Sequence, residues 1–145
     1  MVCPQCGART KSGARCKRKT CKWAPRCFSH TSVEVRPSAI SGRGLFAKNR
    51  IRTNEVVADY TMGKQISAVE FQAKKRAGRA THIALIRGQY IDAEDQSTTI
   101  AGMANRAPSG GRNNLKLTKT GKLKAPRAVA QGKELLLAYG PAFRI

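Results

Sequence analysis

Past residue 32 the chain is written in short apolar runs separated by turn residues. Val33 and Val35 alternate with polar neighbours, Leu45-Phe46-Ala47 follows a glycine turn, and 55–60 reads Glu-Val-Val-Ala-Asp-Tyr. β-Branched residues at a period of two mark half-buried strands, and each of these runs is predicted as one. His82 to Ile86 and Tyr90 to Asp92 flank Gly88 and are predicted as a hairpin. Leu135-Leu136-Leu137-Ala138-Tyr139, bounded by Gly132 and Gly140, fits a buried strand. One helix is predicted from Ala68 to Arg79, with Ser67 as its N-cap and Glu70 in the first turn. The glycine-rich stretch Ala107 to Asn114 reads as a mobile loop, and Lys116 to Lys124 as a further charged loop. The pattern is that of a mainly β domain with little helix.

Residues 1–30 carry no such pattern. Trp23 and Phe28 are their only aromatics and aliphatics are few, so this stretch cannot bury a useful apolar core. It holds all five cysteines, Cys3, Cys6, Cys16, Cys21 and Cys27, with His30 just behind. A segment this small needs a staple. Five thiols are an odd number and nothing suggests secretion, so a disulfide scaffold is the weaker reading and zinc the stronger. Zinc takes four sulfur or imidazole ligands, and Cys3-x2-Cys6 and Cys27-x2-His30 each have the spacing of a ligand pair on one turn. Six candidates compete for four places, and spacing alone does not choose among them.

Charge sharpens the division. The chain has 28 Lys+Arg against 8 Asp+Glu, a formal net charge of +20. Residues 1–30 hold eight of the cations and no carboxylate; all eight acids lie in 31–145. Two units follow: a Cys/His zinc-binding module over 1–31 and a second domain over 32–145. Such a surface is expected to meet nucleic acid or another polyanion rather than a free cationic partner. With 41% apolar residues the chain is not a disordered basic tail. No apolar run approaches the roughly 20 residues of a membrane span, and Met1 to Cys6 lacks a signal peptide's apolar stretch, so an intracellular protein without a membrane is expected.

Two resemblances go further. The run from Cys6 through Thr10-Lys11-Ser12-Gly13 to Cys16-Lys17-Arg18, closed by Cys27 and His30, resembles small cysteine/histidine modules of large-virus and microbial proteins. It implies Cys6, Cys16, Cys27 and His30 as the zinc ligands, although Cys3 or Cys21 fits the spacing of either place. In the second domain, Ser38-Ala39-Ile40-Ser41-Gly42-Arg43-Gly44-Leu45-Phe46-Ala47 resembles the opening of a SET domain, the fold of most protein-lysine methyltransferases. Val57 to Gly63 resembles the family's tyrosine–glycine motif. Tyr90-Ile91-Asp92-Ala93, then Ala104-Asn105 and Asn113-Asn114, resembles its asparagine motif. Gly132-Lys133-Glu134-Leu135-Leu136-Leu137-Ala138-Tyr139-Gly140 is similar to its closing signature.

The resemblance spans residues 33 to 143 and implies a β-clip fold with a pseudoknot and S-adenosylmethionine as cofactor. Gly42, Arg43, Gly44, Tyr60, Asn105, Arg106 and Phe143 would form the cofactor cradle. Tyr139 would be catalytic, its hydroxyl beside the transferring methyl and the lysine amine. Glu134 would tie down the pseudoknot, and Asp92 would be structural. The implied substrate is a lysine side chain of a histone or histone-like protein, bound to nucleic acid that the zinc module, Lys74-Lys75-Arg76, Arg79 and Lys116 to Lys124 would grip. Chromatin in a nucleus, or for a viral protein the host nucleus or the virion, would be its address, and a homodimer could complete so short a site.

The chain also departs from the family. Gly102-Met103-Ala104-Asn105-Arg106 stands where Arg-aromatic-x-Asn-His is usual, Met62 is an extra residue, and the second channel tyrosine has only Tyr90 as its nearest candidate. These departures keep a second expectation in play: a catalytically inactive SET-fold protein that binds nucleic acid or chromatin.

Overall fold

The structure is a computed structural model that describes residues 3–107 and 113–137. Its elements in chain order are β1 (Val33–Pro37), β2 (Arg43–Ala47), β3 (Val56–Asp59), β4 (Lys64–Ile66), α1 (Ala68–Arg76), β5 (Ile83–Ile86), β6 (Gln89–Asp92), β7 (Asn105–Arg106), β8 (Lys116–Leu117), β9 (Lys122–Lys124) and β10 (Glu134–Leu137). The molecule is mainly β, as its pattern predicts.

The strands form three small sheets, ordered β1-β2-β10-β7, β3-β9-β8 and β4-β6-β5. The first positions the candidate site. β1 and β2 form an antiparallel pair around the 38–42 turn, and β10 lies antiparallel on the other edge of β2. β10 then pairs in parallel with β7, Leu136 opposite Asn105 and Leu137 opposite Arg106. The last described strand is thus inserted between two segments far from it in sequence. Leu45, Ile51, Ile100, Leu115, Leu123 and Leu135 are fully buried where the sheets meet. Each such side chain contributes roughly 1.5–3 kcal/mol relative to exposure.

Local signals account for most boundaries. The β5–β6 hairpin turns at Arg87 and Gly88, both at positive φ (50° and 77°), as a tight two-residue hairpin loop needs. α1 begins where predicted: Ser67 Oγ accepts from the Glu70 N–H at 3.1 Å. It ends three residues before the predicted Arg79. Gly78, at φ 69°, takes the left-handed conformation, and the Gly78 and Arg79 N–H groups turn back onto the Lys75 and Lys74 carbonyls. α1 buries Phe71, whose ring stacks on Tyr90 at 4.3 Å. β3 stops at Asp59 rather than Tyr60, because the Asp59 carboxylate accepts from the Thr61 N–H at 3.0 Å and starts a 3-10 turn over Tyr60–Met62.

The predicted charged loop Lys116 to Lys124 is instead the β8–β9 hairpin. Leu115, Leu117 and Leu123 alternate with its lysines, Leu115 and Leu123 are fully buried, and Gly121 at φ 87° closes the turn. Of the predicted mobile stretch, 108–112 lie outside the described residues.

The head, 3–31, has its own buried cluster of Cys6, Cys16 and Cys27, separate from the main core. It docks through Trp23, which packs on that core, and through the Ile100 N–H, which donates to the Lys22 carbonyl at 3.0 Å. Arg26 and Glu55 add an ion pair at 3.8 Å. No helix among the described residues is long and apolar enough to cross a membrane.

Candidate functional site

The head gathers four donors. Cys6, Cys16, Cys27 and His30 place their ligand atoms within 4.8 Å of one another, and all but the half-buried His30 are buried. His30 Nδ1 lies 3.3 Å from the Cys27 sulfur and 3.6 Å from that of Cys6. Two backbone segments bring them together. Arg9 pairs with Arg15 across a turn closed by Gly13 at φ 84°, setting Cys6 and Cys16 side by side. The His30 N–H bonds the Cys27 carbonyl at 2.9 Å, so that Cys27 and His30 share one turn.

The electrostatics suit a cation. Burial alone would raise the Cys6 thiol, but the Cys27 and Ala8 N–H groups and the His30 and Cys27 side chains outweigh it and lower the pKa to about 6. The same N–H groups, at 3.2 and 3.5 Å, orient the sulfur. Cys16 is shifted the other way: the Arg18 N–H lowers it, but burial and the Cys6 and Cys27 sulfurs push it up. A metal ion would relieve that crowding of sulfurs. The cluster could therefore hold one ion.

Cys3 and Cys21 do not compete for it. They are joined in a disulfide with their Cα atoms 4.8 Å apart. The expectation that either could replace a ligand is corrected here, and a disulfide, the weaker reading of the head, stands beside the metal cluster candidate. The odd count of five splits into one cross-link and three free, buried thiols, a division invisible to a parity argument.

The second candidate is a cleft of about 330 Å³ beside the β7–β10 pairing, lined by Ser41, Gly42, Arg43, His82, Gln96 and Asn105, with Gly102 and Met103 behind. It unites Gly42, Arg43 and Asn105, three of the residues singled out from sequence. Gly42, at φ 46°, has nothing within 4 Å of where a Cβ would stand. Gly44 serves differently. A Cβ there would overlap the Glu134 carboxylate and stand 3.1 Å from Asn105 Nδ2, so this glycine makes room for a network rather than for a ligand.

That network locks β10. Asn105 Nδ2 donates to the Ser41 carbonyl at 3.0 Å, the Arg43 carbonyl at 3.3 Å and Glu134 Oε2 at 3.0 Å. Three acceptors identify this atom as the nitrogen. Ser38 Oγ lies 2.9 Å from both Glu134 oxygens. Asn114 brackets the strand from beyond, donating to the Glu134 carbonyl at 2.9 Å and accepting from the Leu136 N–H at 2.7 Å. Asn105 thus spends its amide nitrogen on the protein, and Oδ1 accepts no bond from the described residues.

The other candidates fall elsewhere. Tyr60 is only 2% exposed, and its hydroxyl donates to the His82 carbonyl at 2.6 Å. It supports the wall that His82 forms instead of lining the cleft. Arg106 is exposed on β7. Tyr90, stacked on Phe71, lies in a satellite cluster with Ile66 and Ile83. Asp92 is buried and ion-paired with Lys74, a structural role. Tyr139 and Phe143 lie outside the described residues.

Ser41, His82 and Gln96 were missed because each reads as ordinary turn or strand-edge polarity. Only the chain path joins them. Position 102 admits no larger side chain, since a Cβ there would lie against the Ala93 carbonyl. No model of a known protein family matches the chain, and no curated protein matches it.

Proposed function

We propose that the chain is an S-adenosylmethionine-dependent protein-lysine N-methyltransferase of the SET type, with zinc in its head, acting on a histone or histone-like protein bound to nucleic acid. One observation carries the reading: the cleft brings Gly42, Arg43 and Asn105 together beside a strand inserted between β2 and β7. The similarity of these residues to the family's motifs rests on sequence alone. That they then surround one cavity is the independent support.

The lining fits the cofactor's chemistry. The open φ 46° turn at Gly42 lets backbone groups approach a ligand, Arg43 answers a carboxylate, and Asn105 Oδ1 accepts from an ammonium. S-adenosylmethionine would supply a methyl group on a sulfonium for in-line displacement by a neutral lysine amine. The chain's task is to orient the two and exclude water. Glu134, through Asn105 and Ser38, holds the cleft's floor rigid, and Tyr60 fixes the His82 backbone. Tyr139, two residues past β10, is the group assigned to orient the reacting atoms.

Three thiols and an imidazole form a donor set that zinc prefers among common divalent ions. Cys6, Cys16, Cys27 and His30 would hold it as a structural cross-link. The acid-free surface above it brings the enzyme to phosphate-bearing substrate and so removes the repulsion between a basic enzyme and a basic tail.

Incubation with radiolabelled S-adenosylmethionine and histones or nucleosomes should yield methyl-lysine, and Tyr139→Phe should abolish it. Absence of cofactor binding by calorimetry would sink the enzyme reading. Nucleic-acid binding that persisted in that case would establish the inactive chromatin binder, the reading that the Gly102 and Arg106 departures favour.

A further inference from the structure

Phe28 is 62% exposed, the one aromatic ring among the exposed large apolar side chains of the described residues. It is not there by looseness. It sits between Cys27 and His30 on the turn that carries two of the four clustered donors, and Trp23 meets it edge-on at 5.2 Å. Trp23 in turn packs on the main core, so the ring stands on a rigid base.

Cations surround it. Lys48 Nζ lies 5.3 Å from the Phe28 ring centroid and Lys22 Nζ 5.5 Å from that of Trp23. Arg18 donates to Ser29 Oγ, next in the chain to Phe28, at 2.6 Å. Arg26 approaches Glu55 at 3.8 Å. Glu55 is the only carboxylate that any of these four cations meets among the described residues. It is largely buried and also accepts from Ser32 and from the Arg52 N–H.

We propose that Phe28 is a stacking platform for an unpaired base of a single-stranded nucleic acid, with Arg18, Lys22 and Lys48 contacting the adjoining phosphates. The ring offers a π-face to any base, and the lysine stems are long enough for Nζ to leave the rings and follow a phosphate. In a duplex the base faces are covered by their neighbours, so a duplex uses only the cations. The platform therefore selects single strands where charge alone would not. The inference deepens the proposed contact with nucleic acid and does not need methyl transfer.

The test is fluorescence anisotropy with the zinc-loaded full chain, using a labelled oligothymidylate and, separately, a labelled duplex. Phe28→Ala should weaken single-strand binding roughly 5- to 150-fold, the range of one lost base stack, and leave duplex binding within about twofold. Phe28→Trp should restore it. Unchanged zinc content in each variant shows that the head is intact. Lys48→Gln should lower the single-strand salt slope by about 0.7. Equal loss on both nucleic acids, or no loss on either, would overturn the platform while leaving the methyltransferase assay untouched. So would unaltered oligothymidylate binding accompanied by loss of binding to phosphatidylserine vesicles, which would assign the ring to a lipid surface.

Discussion

In the head the buried cluster is three cysteines, and seven cations, Arg9, Lys11, Arg15, Lys17, Arg18, Lys19 and Lys22, meet no carboxylate among the described residues. In the body a continuous core of leucine, isoleucine and valine does the same work, and buried acids take up lysines: Asp59 binds Lys122, and Asp92 binds Lys74. The charge of the two regions is therefore not equivalent. Part of the body's positive charge is structural, consumed inside the domain, whereas of the head's cations only Arg26 meets a carboxylate among the described residues. Lys74 and Lys122 belong to runs expected to grip phosphate, and their buried partners weaken that expectation for these two residues.

With zinc in the head as proposed, removing it is the strongest way to break the comparison. Structural zinc in small modules is worth about 10–16 kcal/mol of apparent binding free energy. Chelation, or Cys27→Ser, should unfold the head and leave the body's β signal intact. Trypsin should then cut within residues 9–26 while 33–107 resists; a body that melted with the head would refute independent cores. Acid should act on the same point. Cys16, pushed up from its ordinary value, must give up a proton to any metal throughout the neutral range, and Cys6, lowered to about 6, adds a second competing proton only below that value. Zinc affinity measured by competition should fall at least about tenfold per pH unit beneath pH 6.

Glu134→Ala is the corresponding blow to the body. It strips acceptors from Asn105 and Ser38 at the centre of the site and should cost about 2 kcal/mol in urea unfolding, with the head's zinc retained. The smallest effect separates the two kinds of lysine. Lys122→Gln unpairs Asp59, which is 4% exposed, and should lower stability by about 1 kcal/mol. Lys17→Gln should leave stability within about 0.5 kcal/mol and weaken nucleic-acid binding instead. Equal stability losses would erase the distinction between structural and available charge.

The sequence disclosed what local chemistry governs. Ser67 announced the start of α1, Gly88 the β5–β6 hairpin, and the Cys27-x2-His30 spacing one pair of a cluster that does assemble. It concealed what depends on the path of the chain. The Cys3–Cys21 bond cannot be inferred from five thiols, and nothing near Gly44 says that the space it leaves is for Glu134, ninety positions on. The β8–β9 hairpin was legible in its alternating leucines but was masked by the lysines between them. Tyr60 stood in a motif that suggested either a ligand pocket or core packing, and among the described residues its ring is buried with its hydroxyl on the His82 carbonyl.

The insertion of β10 has a consequence for biosynthesis. Glu134 meets Ser38 across 96 positions, and its strand fills the slot between β2 and β7. Contacts so distant in sequence form late, after the chain entropy of closing the loop has been overcome. A ribosome-bound chain can gather the Cys6, Cys16, Cys27 and His30 donors in its head long before residues 134–137 emerge. Through that interval the body's first sheet is open along one edge of β2, and Asn105 lacks its anchor. On the proposed function, the nascent protein would thus acquire its address before its cleft, with the head's cations presented before the Asn105–Glu134 network can form.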